Sequence, residues 1–154
     1  MYVRTYETEM SFGTFSPVPK IIKLECSGHG TELEPFIITG ETHLPKFFRI
    51  ENSNHFVIFQ NSKIITAYIK KSQNISFDHS QIKSIGFVKC KKCSLKDTTI
   101  TYSLTVKKGS MIEIQRCTIS KVKITKSKDI SLDNNEIKWL EKSRTKIIDP
   151  MTEI

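Results

Sequence analysis

His79, Asp97 and Arg116 stand eighteen and nineteen residues apart. An imidazole, a carboxylate and a guanidinium are groups that move protons and steady developing charge. A fold that turned this spacing into adjacency would give them acid-base potential; the simpler reading is a hydrogen-bonded polar ladder on the surface. Each is preceded by a member of a second polar column, Asp78, Lys96 and Gln115, with Asp133 following in the same series. Sugar hydrolysis needs two carboxyl groups within about 10 Å, whereas Asp78 and Asp133 are three repeats apart, about 14 Å if each repeat advances by one strand spacing. No complete catalytic constellation results, and the sequence leans toward a non-catalytic protein.

Cys90-Lys91-Lys92-Cys93 has the spacing of half a zinc site or of a redox dithiol. A second pair is missing, and the expectation is reduced packing cysteines, Cys93 pointing inward and Cys90 at a turn. There is no calcium-loop, phosphate-loop, zinc or serine-nucleophile motif, so neither a metal nor a cofactor is expected. His29, His43 and His55 are isolated and read as structural or solvent-exposed residues.

The most regular polar series is basic. Lys71, Lys89, Lys108 and Lys126 recur at one position of the repeat, with Lys70, Lys91, Lys92, Lys107 and Lys128 nearby. Stacked, the four would form a strip that meets an extended polyanion in a salt-dependent manner, or one that keeps the molecule soluble and discourages lateral association. The composition points the same way: 24 Lys and Arg against 16 Asp and Glu give a net charge of +8 in 154 residues. That balance favours anionic partners, nucleic acid or acidic polysaccharide among them.

These residues are positioned by an internal repeat. Ile64, Ile82, Ile100, Ile119 and Ile137 recur every 18 residues with one interval of 19. In the same register fall Val57, Ile75, Cys93, Ile112 and Ile130, and then Phe59, Phe77, Leu95, Ile114 and Leu132. Two further columns run Ile50, Ile69, Phe87, Val106, Ile124 and Phe48, Ala67, Ile85, Leu104, Val122, Leu140. Apolar pairs such as Ile75 with Phe77 are two apart, the period of a strand buried on one face. Ser53, Ser72, Cys90, Gly109, Ser127 and Ser62, Ser80, Thr98, Cys117, Asn135 mark the corners between strands.

Strand and corner alternating at a fixed period, with no room for crossover helices, predict an all-β, single-stranded parallel β-helix (β-solenoid) of about five coils. One domain is expected. Residues 1–46 form an N-terminal cap, with "KIIKLEC" as a strand, Phe12, Phe15, Pro17 and Pro19 as cover, and "PFIIT" as an incomplete first coil. Residues 47–140 form the coils and 141–154 a C-terminal cap, whose brevity predicts homo-oligomers paired through the solenoid ends. No apolar run approaches a membrane span and no secretory signal opens the chain. The default location is therefore cytoplasmic, or extracellular had a leader been removed. Abundant Lys and Ile with short corners would suit a thermophile.

Gly28-His29-Gly30-Thr31, Pro35-Phe36-Ile37-Ile38 and Arg116-Cys117-Thr118-Ile119 resemble the opening and coil phrases of the CASH family, the carbohydrate-binding and sugar-hydrolase domains. The likeness covers about residues 27–140. It implies a right-handed parallel β-helix of the pectate-lyase-like superfold and, as one function, sugar binding or hydrolysis. Two expectations follow: a non-catalytic binding or scaffolding solenoid that takes an extended anion along the lysines, or a carbohydrate-active domain of the CASH kind.

Overall fold

The period-two pattern becomes strand throughout, and no helix occurs among the described residues. The structure, a computed structural model, describes residues 1–11 and 14–153, and the side chains of 1–6 and 18–148. Fourteen strands follow in chain order: β1 (Tyr2–Ser11), β2 (Thr14–Lys23), β3 (Phe36–Ile38), β4 (Phe47–Glu51), β5 (Val57–Gln60), β6 (Lys63–Lys70) and β7 (Ile75–Asp78). The rest are β8 (Gln81–Val88), β9 (Lys91–Lys96), β10 (Thr99–Lys107), β11 (Ser110–Gln115), β12 (Thr118–Thr125), β13 (Lys128–Ser143) and β14 (Ile147–Glu153).

From β3 onward the chain winds as a parallel solenoid of about six turns. Successive strands alternate between two walls, β3-β5-β7-β9-β11 and β4-β6-β8-β10-β12. The long β13 closes both, its first half on β11 and its second on β12. The turn count exceeds the expected five because Phe36, Ile37 and Ile38 pair in parallel with Val57, Ile58 and Phe59 and so begin a turn of their own. β14 adds a parallel strand on β13.

Every isoleucine of the defining series is paired with the next: Ile64 with Ile82, Ile82 with Ile100, Ile100 with Ile119 and Ile119 with Ile137. These side chains, and those of the other apolar columns up to the last coil, are at most 4 % exposed. They form one continuous core. In its lower half the rings of Phe59 and Phe77 stack at 4.7 Å, flanked by Phe48 at 5.7 Å and Phe87 at 6.2 Å. Truncating such a buried ring to alanine costs about 3–5 kcal/mol.

The corners follow a stricter geometry than their composition announces. Asn52, Lys71, Lys89, Lys108, Lys126 and Arg144 all have φ between 48° and 55°. A second series, Asn61, His79, Asp97, Arg116 and Asn134, lies between 48° and 52°, and a third comprises Asn74, Lys92, Met111 and Asp129. A left-handed residue at each corner reverses the strand direction while the neighbouring small polar residue turns inward. Buried Ser62, Ser80 and Asn135 satisfy that bend: Ser80 Oγ accepts from Ser62 N at 3.1 Å, and Asn135 Oδ1 from Cys117 N at 2.8 Å. The other corner column repeats the arrangement, Ser127 Oγ accepting from Gly109 N at 3.0 Å.

Two features break the repeat. The single 19-residue interval is a bulge between Ile100 and Ser103, where the register against β8 shifts. At the far end the column Ile50, Ile69, Phe87, Val106, Ile124 is completed by Lys142, paired with Ile124. A charge thus stands where a further coil would lay its core. Before the first turn, β1 and β2 form an antiparallel hairpin that joins β4 through Arg4 opposite Arg49. The strand expected over "KIIKLEC" ends at Lys23, beyond which the Leu24 amide donates to the Met1 carbonyl at 2.8 Å. Of the expected cover residues, Phe12 lies outside the described residues, as do the side chains of Phe15 and Pro17.

Candidate functional site

Two corners carry the polar series singled out above, and they differ in electrostatic character. At the first, His79, Asp97 and Arg116 are brought together on successive coils. Arg116 Nε and Nη2 donate to the two carboxylate oxygens of Asp97 at 2.8 and 2.9 Å. His79 Nδ1 lies 2.8 Å from Asp78 Oδ1, and its Nε2 is 4.0 Å from Asp97 Oδ2. The Gln115 amide donates to Asp133 at 3.1 Å. The Arg116 guanidinium holds the Asp97 carboxyl below the usual carboxylate range, with smaller help from His79 and Lys96. Reciprocally, Asp97 raises Arg116.

Asp78, His79 and Asp97 each present one ligand atom within 4.8 Å of the others. A cation there would have to compete with Arg116 for Asp97, both of whose oxygens the guanidinium already engages. The exposed His79 ring keeps its Nε2 beyond hydrogen-bond reach of Asp97. The corner matches a polar ladder in which one bidentate ion pair, Arg116 with Asp97, is flanked by the His79–Asp78 and Gln115–Asp133 hydrogen bonds.

The second corner holds no such pair. Lys71, Lys89, Lys108 and Lys126 are all exposed, and among the described residues none of the four forms an ion pair. Their backbone amides are tied to the next coil: Lys71 N donates to Val88 O at 2.9 Å, Lys89 N to Lys107 O at 2.8 Å, and Lys108 N to Thr125 O at 2.9 Å. The backbone is therefore fixed while the four ammonium groups extend from one edge of the rod. Left-handed φ disfavours any side chain with a Cβ, by about 1–2 kcal/mol, and Gly or Asn relieves it. Lysine lacks the short polar group that lets Asn or Asp bond locally there.

The basic character spreads from this edge across the adjoining wall. The stretches 66–71, 84–89, 103–108 and 121–126 contain eight lysines, Lys70, Lys71, Lys89, Lys107, Lys108, Lys121, Lys123 and Lys126, and no Asp or Glu. The corresponding stretches of the other wall, 75–79, 91–97, 110–116 and 128–134, hold five acids against four lysines and one arginine. At the ends of the basic wall stand Glu51, paired with Arg4 and Arg49, and Glu141, whose Oε1 is 3.6 Å from Lys123 Nζ. A polar cleft opens beside the edge between Asn52, Asn54, Lys71, Gln73, Lys89 and Lys91.

Sequence reasoning missed Lys121 and Lys123 because they belong to strand positions where the preceding coils carry Ser, Gly, Thr or Tyr. Trp139 pairs with Lys121 on the last rung of the basic wall, and the Lys121 ammonium lies 4.4 Å from its ring centroid. The signal was available in register: Trp139 is two residues beyond Ile137, as Lys121 is beyond Ile119. Cys90, Cys93 and Cys117 are buried free thiols at column positions, and burial pushes Cys117 up to about 11. No family model and no curated protein matches the chain. Among solved structures, one described as a "putative glycosyl hydrolase" from Parabacteroides merdae is similar at 13% identity, over 76% of this chain and 78% of that one, with a TM-score of 0.25. At that score the similarity carries no functional argument.

Proposed function

We propose that this protein is a non-catalytic β-solenoid that binds an extended polyanion along the lysine edge formed by Lys71, Lys89, Lys108 and Lys126. The observation that carries the reading is the asymmetry between the walls: eight lysines and no acid on four successive rungs of one, mixed charge on the other. Like charges repeated at about 4.8 Å repel one another, and they occupy corners where asparagine or glycine would be less strained. A linear partner with regularly spaced anions would relieve that repulsion and release counterions on binding. Retention of the protein on immobilised heparin and on DNA, eluted with salt, tests the proposal. Lys71→Glu/Lys108→Glu should elute at markedly lower salt on both; unchanged elution would reduce the edge to solvated surface.

A second reading is favoured by the chain opening. Gly28 and Gly30 both have positive φ, and a Cβ at Gly28 would fall 1.9 Å from the Pro35 carbonyl oxygen. The Gly-x-Gly-Thr and Pro-Phe phrases, which resemble the CASH opening, are thus packed on one another. On this reading the winding is right-handed and the ligand a carbohydrate. A broad glycan array with no bound sugar would count against it.

A further inference from the structure

The basic wall carries more than charge. Trp139, the chain's single tryptophan, is 48 % exposed, with the Lys121 ammonium beside its ring. Tyr102, 66 % exposed, stands in the one-residue bulge that interrupts an otherwise regular repeat, immediately before Ser103. Bulges of this kind re-aim a side chain out of the strand pattern. The strand position of Ser103 recurs as Lys121 one coil on and as Trp139 two coils on, so the tyrosine and the tryptophan border the same basic wall with their positions about 10 Å apart, Glu141, paired with Lys123, standing on the tryptophan's rung.

A partner recognised by charge alone, such as a sulfated polysaccharide, would be served by the lysines without those rings. Duplex DNA presents its bases at groove edges and is read by elements that enter a groove, which the broad wall of a solenoid does not. Open single strands differ: they expose both phosphates and flat base faces, and proteins that hold them combine a basic surface with exposed aromatic rings. Two rungs, about 10 Å along the stack, separate the positions of the two residues, more than the 3.4 Å rise between stacked nucleotides of a helical strand, which fits a strand held extended across the coils.

We infer that the polyanion is a single-stranded nucleic acid, with bases stacking on Trp139 and Tyr102 and phosphates held by Lys107, Lys108, Lys121 and Lys126. The inference rests on the polyanion reading above and narrows it. A base stacking on Trp139 takes the place of the Lys121 ammonium, which then turns to the adjacent phosphate.

Fluorescence anisotropy of labelled single-stranded oligo(dT), of the same strand paired with oligo(dA), and of labelled heparin, each titrated with the full chain, provides the test. The single strand should bind more tightly than the duplex and quench the Trp139 emission. Trp139→Ala and Tyr102→Ala should each weaken oligo(dT) binding roughly 5- to 150-fold, Trp139→Phe should restore most of it, and heparin binding should change little. Circular dichroism of each variant confirms that the solenoid is intact. Heparin binding with oligo(dT) indifferent to both aromatic substitutions overturns this inference and leaves the polyanion reading standing. Heparin binding that weakens with the aromatic substitutions assigns the rings to a polysaccharide and overturns it as well. Binding of neither polymer overturns both.

Discussion

Arg116 grips both carboxylate oxygens of Asp97 from the next coil, at 2.8 and 2.9 Å, so that two residues nineteen apart in the chain form a bidentate pair across one rung of the solenoid. The Arg116 guanidinium lowers the Asp97 carboxyl in the folded state. A carboxyl whose folded pKa lies below its unfolded value, near 3.9, stabilises the protein above that value and ceases to do so as pH falls through the folded pKa. Asp97→Asn should therefore melt below the parent at neutral pH and converge with it in strong acid. Melting temperatures of both proteins measured from pH 7 down to pH 2 check this; a gap that persists undiminished at the acid end would refute it.

The buried amide of Asn135 joins two successive coils, accepting from Cys117 N and donating to Ile114 O, both at 2.8 Å. Asn135→Ala removes both hydrogen bonds and leaves the buried Cys117 amide without this partner, at a cost of about 1–3 kcal/mol. Urea unfolding should show the loss as a lower midpoint with an unchanged slope. A loss below about 0.5 kcal/mol would mean that the corner is satisfied in another way.

The lysine edge should show a conflict between stability and charge. Lys108 has φ 53°, and Lys108→Asn or Lys108→Gly relieves a left-handed residue while removing one ammonium group. Stability should hold or rise by up to about 1 kcal/mol, while elution from heparin moves to lower salt. Lys108→Val, β-branched at the same φ, should destabilise. Thermal melts and one salt gradient on the three variants decide the matter, and a destabilised Lys108→Asn would contradict it.

Deleting Tyr102 restores the 18-residue interval between Ile82, Ile100 and the coil that follows. The bulge is confined to the segment between Ile100 and Ser103, and pairing resumes at Ser103 opposite Ser84. The deletion variant should fold with the same circular dichroism and with stability within about 1 kcal/mol of the parent. Failure to fold would show that the bulge is required for closure of the coil.

The thiols divide by depth. Cys26 is half-buried, whereas Cys90, Cys93 and Cys117 are buried, with burial raising Cys117 to about 11. Only thiolates react readily, so a thiol-specific disulfide reagent should titrate one cysteine in the native protein and four after unfolding. Rapid native reaction of Cys117 would contradict its placement in the core.

The apolar columns were legible because a parallel solenoid places the same side chain above itself in every coil, and an equality of position along the chain becomes an equality of environment. Ile82 had to match Ile100 because they share a rung. The hydroxyl and amide corners could be read for the same reason. The left-handed conformation of Lys71, Lys92 and Met111 could not: the residue types that signal positive φ are Gly, Asn and Asp, and here the solenoid imposes the conformation on side chains that do not prefer it. The β1–β2 hairpin has no counterpart in the repeat, so periodicity was silent there.

Sequence alone thus determined the period, the inward faces and the rungs on which His79, Asp97, Arg116 and the four corner lysines stand, since all of these follow from spacing in a structure that repeats. The tertiary structure decided which neighbours each outward residue acquires. It joined Asp97 to Arg116, left the corner lysines without acids, and set Trp139 beside Lys121 on the basic wall. Those pairings depend on how side chains meet across a surface, and a one-dimensional repeat carries no record of that direction.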